Sequence, residues 1–198
     1  MLPARTFIAI GLPAQVREAL SRCQEMLGAS RTPYVKWVVD PGGIHLTLKF
    51  LGNVEETRLP RLAEAMERAV ADISPFQVQT GAVGAFPNAR SPRVLWIGLE
   101  GDLESLQILY RAVEEALAPL GFPREGRPFA PHLTLGRVRE TAKPGDKHQL
   151  GQALAGVQMD VPFVIPVEEI HVMKSDLART GARYTSLYTL PLRTGSKA

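Results

Sequence analysis

Cysteine occurs once in this chain of 198 residues, at position 23. One thiol cannot close a disulfide within the chain, and no cysteine cluster is available to hold a metal. Cys23 stands between Leu20 and Leu27 in a stretch of helical spacing, where a thiol acts as a small core residue rather than a nucleophile. Long apolar runs are absent, so no segment can span a bilayer as a helix. The opening residues lack the charged start and apolar run of a secretory leader. A soluble, cytoplasmic protein without a membrane partner is the expectation. Lysine is scarce: six against 17 arginines. With 20 acidic residues the net charge is only +3, at a pI near 9.2. That surplus tolerates an anionic ligand but is too small for a broad basic surface. Asparagine occurs only as Asn53 and Asn88, a composition that points to a thermophilic source. No glycine-rich phosphate loop follows a strand pattern, and Gly81-Ala-Val-Gly84 fits neither common form.

Apolar residues make up 45 % of the chain, enough for a real core at this length. Residues 5–10 are Phe- and Ile-rich and read as a strand. Residues 13–27 follow with helical spacing of Val16, Ala19, Leu20, Cys23 and Leu27. Further strands are expected over 34–39, 44–51, 76–83, 94–99, 130–138, 161–164, 170–174 and 184–192. Gly52-Asn53 is expected to end the strand at 44–51, and 40–43 carries turn chemistry. Helices are expected over 55–71 and 103–117, with a short one in the polar stretch 143–156. Residues 86–93 and 121–128 read as loops, and the tail from Arg193 as disordered. Strands and helices interleave with uneven spacers, which favours an α+β fold with largely antiparallel sheets over a parallel, doubly wound one.

One phrase occurs twice: Ile44-His45-Leu46-Thr47-Leu48 and Pro131-His132-Leu133-Thr134-Leu135. In a strand, side chains alternate between faces. Each copy therefore offers a histidine and a threonine on one face and packs leucines on the other. Two related lobes, each giving one strand to a shared site, would assemble two imidazoles and two hydroxyls. Imidazole titrates near neutrality, so one ring can accept a proton while the other donates one. Threonine hydroxyls can donate to phosphoryl oxygens. That set suits opening of a cyclic phosphodiester without a metal.

On these residues the chain resembles the two-histidine phosphoesterase superfamily. Within it, the chain is similar to the RNA 2′,3′-cyclic phosphodiesterases, also described as 2′-5′ RNA ligases. The resemblance runs in order through Arg5-Thr-Phe7-Ile-Ala-Ile10, Val35-Lys-Trp37 and His45-Leu-Thr-Leu-Lys-Phe50-Leu-Gly52. It continues through Phe86-Pro87, Pro92-Arg93-Val-Leu-Trp96 and Arg127-Pro-Phe129-Ala-Pro131-His132-Leu-Thr-Leu-Gly-Arg137, ending with Ser175, Gly181 and Tyr184. It implies one domain over 1–198, bilobal and pseudo-symmetric, its lobes intertwined and each carrying one motif (45–48 and 132–135). Two mainly antiparallel sheets would surround a central cleft, with helices outside. His45 would be the proton donor and His132 the proton acceptor, yielding a 2′-phosphate. Thr47, Thr134 and Arg137 would hold the phosphate, with no cofactor and no metal. Strict alternation puts Arg137 on the face opposite His132, and only a bulge or bend near Gly136 would re-aim it. Phe7 and Phe86 are candidates to stack on a base, with core packing the competing role. Arg90 and Arg93 flank Ser91-Pro92 in a loop, and Arg93 falls in the matching pattern. His148 and His171 have no repeated context and receive no role.

The implied partners are RNA with 2′,3′-cyclic phosphate ends or small cyclic nucleotides, met by a monomer. The same acid and base would serve the reverse, ATP-independent 2′-5′ joining. An RNA-binding protein with a retired site is the competing class, and both intact motifs speak against it. A metal phosphodiesterase needs a clustered ligand set, and Asp40 beside His45 does not supply one.

Overall fold

The computed structural model describes residues 4–38, 43–157, 162–178 and 181–193. The expected turn at 40–42, the start of the strand at Val161 and the tail at 194–198 lie outside them. Thirteen elements follow one another: β1 (Ala4–Ile10), α1 (Ala14–Met26), β2 (Val35–Trp37), β3 (Leu46–Val54), α2 (Leu59–Val70), β4 (Phe76–Phe86), β5 (Val94–Gly101), α3 (Leu103–Leu117), β6 (His132–Val138), α4 (Pro144–Gly156), β7 (Val164–Val167), β8 (Glu169–Ala178) and β9 (Gly181–Pro191). The fold is α+β, and its strands pair antiparallel in the order β7-β4-β5-β6-β3-β1-β8-β9, with β2 beside β6.

This path is two sheets joined at a point. β6 and β3 touch through one residue pair, Leu46 with Leu133. One sheet holds β7, β4, β5, β6 and β2; the other holds β3, β1, β8 and β9. Each sheet borrows from the far end of the chain: β2 joins strands of the second half, while β8 and β9 join β1. The shared pair falls one residue after each histidine.

The helices follow the apolar spacing. α1 buries Val16, Ala19, Leu20 and Cys23. α2 buries Leu62, Met66 and Val70 and packs against α3, which buries Leu106, Leu109, Val113 and Leu117. The Asp102 carboxylate accepts from the Ser105 N–H at 2.9 Å, satisfying one free donor at the start of α3. The polar stretch at 143–156 is a full helix, α4, burying Leu150 and Leu154. Pro144 opens it, and the Asp146 carboxylate accepts from the Lys143 N–H at 2.8 Å.

Two strand boundaries depart from expectation. β3 does not end at Gly52-Asn53 but continues to Val54. Gly52 adopts φ 70°, and the register against β1 slips there, so the glycine hosts a bulge rather than a stop. β7 lies at 164–167, three residues beyond the expected start, with Pro166 inside it. An edge strand tolerates a proline, and β7 is the last strand of its sheet.

Candidate active site

The antiparallel contact between Leu46 and Leu133 decides what meets what. Stepping one residue either way sets His45 across from Thr134 and Thr47 across from His132. Leu46, Leu48, Leu133 and Leu135 are buried in the core beneath. The histidines and threonines are only partly buried and face the cleft. Two cavities meet at this quartet. One, of about 190 Å³, is lined by His45, Thr47, Thr134, Arg137, Phe7 and Tyr184, among others. The other, of about 690 Å³, is lined by His132 and again by Thr47, Thr134 and Arg137. The threonines and the arginine thus stand between two chambers, with one histidine in each.

Arg137 reaches this wall through a bulge. Thr134 pairs with Trp96 and Gly136 with Leu95, so Leu135 is an extra residue in β6. Gly136 turns to the core face, and Arg137, opposite Val94, returns to the cleft face beside His132 and Thr134. A side chain at Gly136 would press within 3.0 Å of Val35 and 3.1 Å of Trp37. β3 carries the same irregularity at the matching place: Thr47 pairs with Ala9 and Lys49 with Ile8, leaving Leu48 extra. The repeat thus includes a bulge three residues after each histidine. In β3 it sends Lys49 inward and Phe50 to the cleft, where Phe50 is 60 % exposed and lines both cavities. Alternation alone would have buried Phe50 among the leucines, so the sequence reading missed it.

The imidazoles sit in different surroundings. His45 stacks on Phe7 (4.6 Å, 26°) and meets the edge of Tyr184 (5.0 Å, 78°). Its Nδ1 is sealed from solvent and makes no well-formed hydrogen bond among the described residues. Burial pushes its pKa down to about 4, against a smaller upward pull from the Gly43 backbone. His132 Nδ1 lies 2.8 Å from the Ala130 carbonyl. A carbonyl can only accept, so this contact places a proton on Nδ1 and leaves Nε2 of the neutral ring as the acceptor. The Phe86 ring abuts His132 edge-on at 5.0 Å and is backed by Trp96 at 5.1 Å. Burial also raises the Tyr184 phenol, with Arg137 and Arg5 pulling it the other way.

The aromatic candidates separate. Phe7 is 2 % exposed and its ring face is covered by His45. It backs a catalytic candidate, which favours the packing role of the two weighed for it. Phe86 is partly buried and lines the larger cavity, and Phe50 is the open ring. Arg93 lines the larger cavity, while Arg90 lies exposed on the loop at 86–93. His148 is exposed on α4. His171 lies apart from the quartet, with Glu169 at 3.3 Å and Ser186 and Thr189 hydroxyls at 3.2 Å.

A second layer escaped the sequence reading. Lys49 and Glu114 are both buried and form an ion pair at 2.6 Å. Lys49 also donates to the Pro123 carbonyl (2.8 Å), and the Glu125 N–H donates to Glu114 (2.9 Å). The pair ties β3 to α3 and to the loop that leads to His132. In that loop Phe129 stacks on Tyr110 (4.1 Å, 5°). Among the described residues, no three His, Cys, Asp or Glu side chains group as a metal site requires, and no helix is long and apolar enough to cross a membrane.

Two imidazoles beside paired threonines, one immediately before β3 and one opening β6, are the arrangement of a two-histidine phosphoesterase. The LigT like Phosphoesterase family model matches the chain twice, over residues 10–96 and 97–184, and the chain belongs to that family. It is 32 % identical over 186 residues to an RNA 2′,3′-cyclic phosphodiesterase of Methanothermobacter thermautotrophicus, covering 94 % of this chain and 97 % of the relative. A Thermus thermophilus protein of the same description is 34 % identical over 195 residues (96 % and 90 %). Among solved structures, Escherichia coli LigT complexed with 3′-AMP superposes with a TM-score of 0.76 at 27 % identity, covering 96 % of this chain and 98 % of that one.

Proposed function

We propose that this enzyme opens the 2′,3′-cyclic phosphate at RNA ends, leaving a 2′-phosphate, by acid–base catalysis without a metal. The observation that carries the reading is the division of the cleft: Thr47, Thr134 and Arg137 line both chambers, with one imidazole in each. An in-line displacement needs its nucleophile and leaving group on opposite faces of phosphorus. His132, its Nε2 free to accept, takes the proton of the attacking water. His45 gives its proton to the departing O3′ of the ribose. The P–O3′ bond breaks, the water oxygen joins phosphorus, and the phosphate stays on O2′. The hydroxyls of Thr47 and Thr134 and the Arg137 guanidinium hold the phosphoryl oxygens.

Proton supply to His45 is coupled to binding. Burial disfavours its charged form, but a phosphate anion at the threonines adds an opposite charge nearby and favours it. The substrate thereby helps protonate its own acid. If a ribose 5′-hydroxyl replaces water, the same steps join two strands through a 2′-5′ bond and need no ATP. The relatives named RNA 2′,3′-cyclic phosphodiesterase and the 3′-AMP complex of LigT support a nucleotide substrate. We take the working unit to be one domain and one chain in the cytoplasm. A single chain supplies both histidines, both threonines and the arginine, and its only thiol is buried and unbridged.

The test is turnover of a nucleoside 2′,3′-cyclic phosphate in EDTA, with phosphorus NMR on the product. The expected product is the 2′-phosphate, formed at an undiminished rate in chelator. A 3′-phosphate would reverse the leaving-group assignment. Activity lost in EDTA and restored by a divalent cation would overturn the metal-free mechanism.

A further inference from the structure

The chamber on the His132 side is far larger than the reaction of water requires. It measures about 690 Å³, against about 190 Å³ on the His45 side. A water molecule occupies only about 30 Å³ of liquid. Phe50, Phe86 and Phe129 give this chamber aromatic walls, and Arg93 and Arg127 stand on it as cations.

Arg93 also opens onto a neighbouring cavity of about 410 Å³, lined further by Arg139, Lys147 and Glu140. One backbone and one side-chain hydrogen bond border this passage. The Val138 N–H donates to the Arg93 carbonyl at 2.9 Å, and Arg139 Nε donates to the Pro33 carbonyl at 3.1 Å. Among the described residues, Arg93, Arg127, Arg139 and Lys147 form no ion pair. Glu140 is the one carboxylate on the outer cavity. A net surplus of +3 is small for the whole chain, yet Arg93, Arg139 and Lys147 line one passage that leads away from the nucleophile's side of the site.

We propose that this path seats the strand that ends in a 5′-hydroxyl. Its first nucleoside occupies the aromatic chamber beside His132, and its following phosphates run along Arg93, Arg139 and Lys147. The inference rests on the acid–base assignment above and extends it to a second RNA strand. Base stacking on aromatic rings combined with cations tracking the backbone is how proteins hold single strands without reading sequence. In joining, O5′ bonds to phosphorus and its proton goes to His132, while O3′ leaves with the proton of His45. In the reverse, the 3′-hydroxyl gives its proton to His45 as O3′ bonds to phosphorus, O5′ leaves with the proton of His132, and the cyclic phosphate reforms. Neither direction needs an oxidant, a reductant or a nucleotide cofactor.

The test uses the full chain and three substrates: a nucleoside 2′,3′-cyclic phosphate, an RNA with one 2′-5′ bond and a long arm on its 3′ side, and its mirror with the long arm on the 5′ side. The variants are Arg139→Glu/Lys147→Glu and, because Arg139 also holds Pro33, Lys147→Glu alone. The double variant is expected to cleave the 3′-armed RNA about tenfold more slowly at low salt, and the single variant to fall in the same direction. The 5′-armed RNA and the cyclic mononucleotide should stay within about twofold of wild type. Equal losses on both RNAs, or no loss on either, would overturn the proposed path. Wild-type hydrolysis of the cyclic mononucleotide without cleavage of any 2′-5′ bond would overturn the second strand and leave the hydrolytic site standing. No turnover of any substrate would overturn both.

Discussion

His132→Ala is expected to hydrolyse a nucleoside 2′,3′-cyclic phosphate roughly 10²–10⁴-fold more slowly than wild type, with the loss in kcat. The imidazole is placed to take a proton, and the phosphate is held by other groups, so KM should change little. Only one ring nitrogen is open for this work, because the Ala130 carbonyl occupies Nδ1. The ring also lies against Phe86 at the cleft surface, outside the core. Truncation should therefore leave the fold intact. His45→Ala should lose a similar factor. The double variant should fall little below the worse single one, since each histidine acts only when the other does. Parallel progress curves for the three variants check this. A His132→Ala enzyme that keeps its kcat and loses only affinity would remove that residue from the chemistry.

Glu114→Ala is expected to cost about 3–5 kcal/mol of stability, read as a lower urea midpoint. Glu114 is the charged partner of Lys49 at 2.6 Å, and both side chains are almost fully buried. Removing the carboxylate leaves a buried ammonium with, among the described residues, only the Pro123 carbonyl as a partner, and frees the Glu125 N–H. The double change Lys49→Met/Glu114→Leu should recover most of the loss, because it leaves no orphaned charge. The site should feel the single change as well, since Lys49 lies two residues after Thr47 and the loop held by Glu114 runs on to His132. A midpoint within the error of wild type would mean that the pair carries no structural weight.

Much of the site could be read from the repeat. Two His-x-Thr phrases among leucines gave the strand faces, and their likeness gave two related sheets. The bulges were harder. A bulge is a mismatch between two strands, so nothing in one strand's pattern declares it. Alternation gives no sign of Phe50 at the cleft, and Arg137 could be aimed only by allowing for Gly136. The pair of Lys49 and Glu114 joins residues 65 positions apart, and neither strand nor helix periodicity carries that distance. Phe7 shows the opposite limit. Its place in the opening strand was legible, but its stacking against His45 depends on a register between β1 and β3 that only pairing fixes. The core helices followed their apolar spacing closely. The edge strand β7 was displaced because a proline inside a short apolar run hides the strand.

The most direct test of the two-histidine account is an NMR titration of both imidazoles, with and without inorganic phosphate. In the protein alone, burial holds His45 at about 4, so its ring is neutral through most of the working range. Phosphate at the threonines adds negative charge beside it and must raise that value, and by linkage phosphate binds more tightly as His45 takes up its proton. The account predicts that His45 moves upward towards neutrality when phosphate binds, while His132 keeps its Nδ1 proton in the neutral ring. A His45 that stays near 4 with phosphate bound would deny it the role of acid and contradict the assignment.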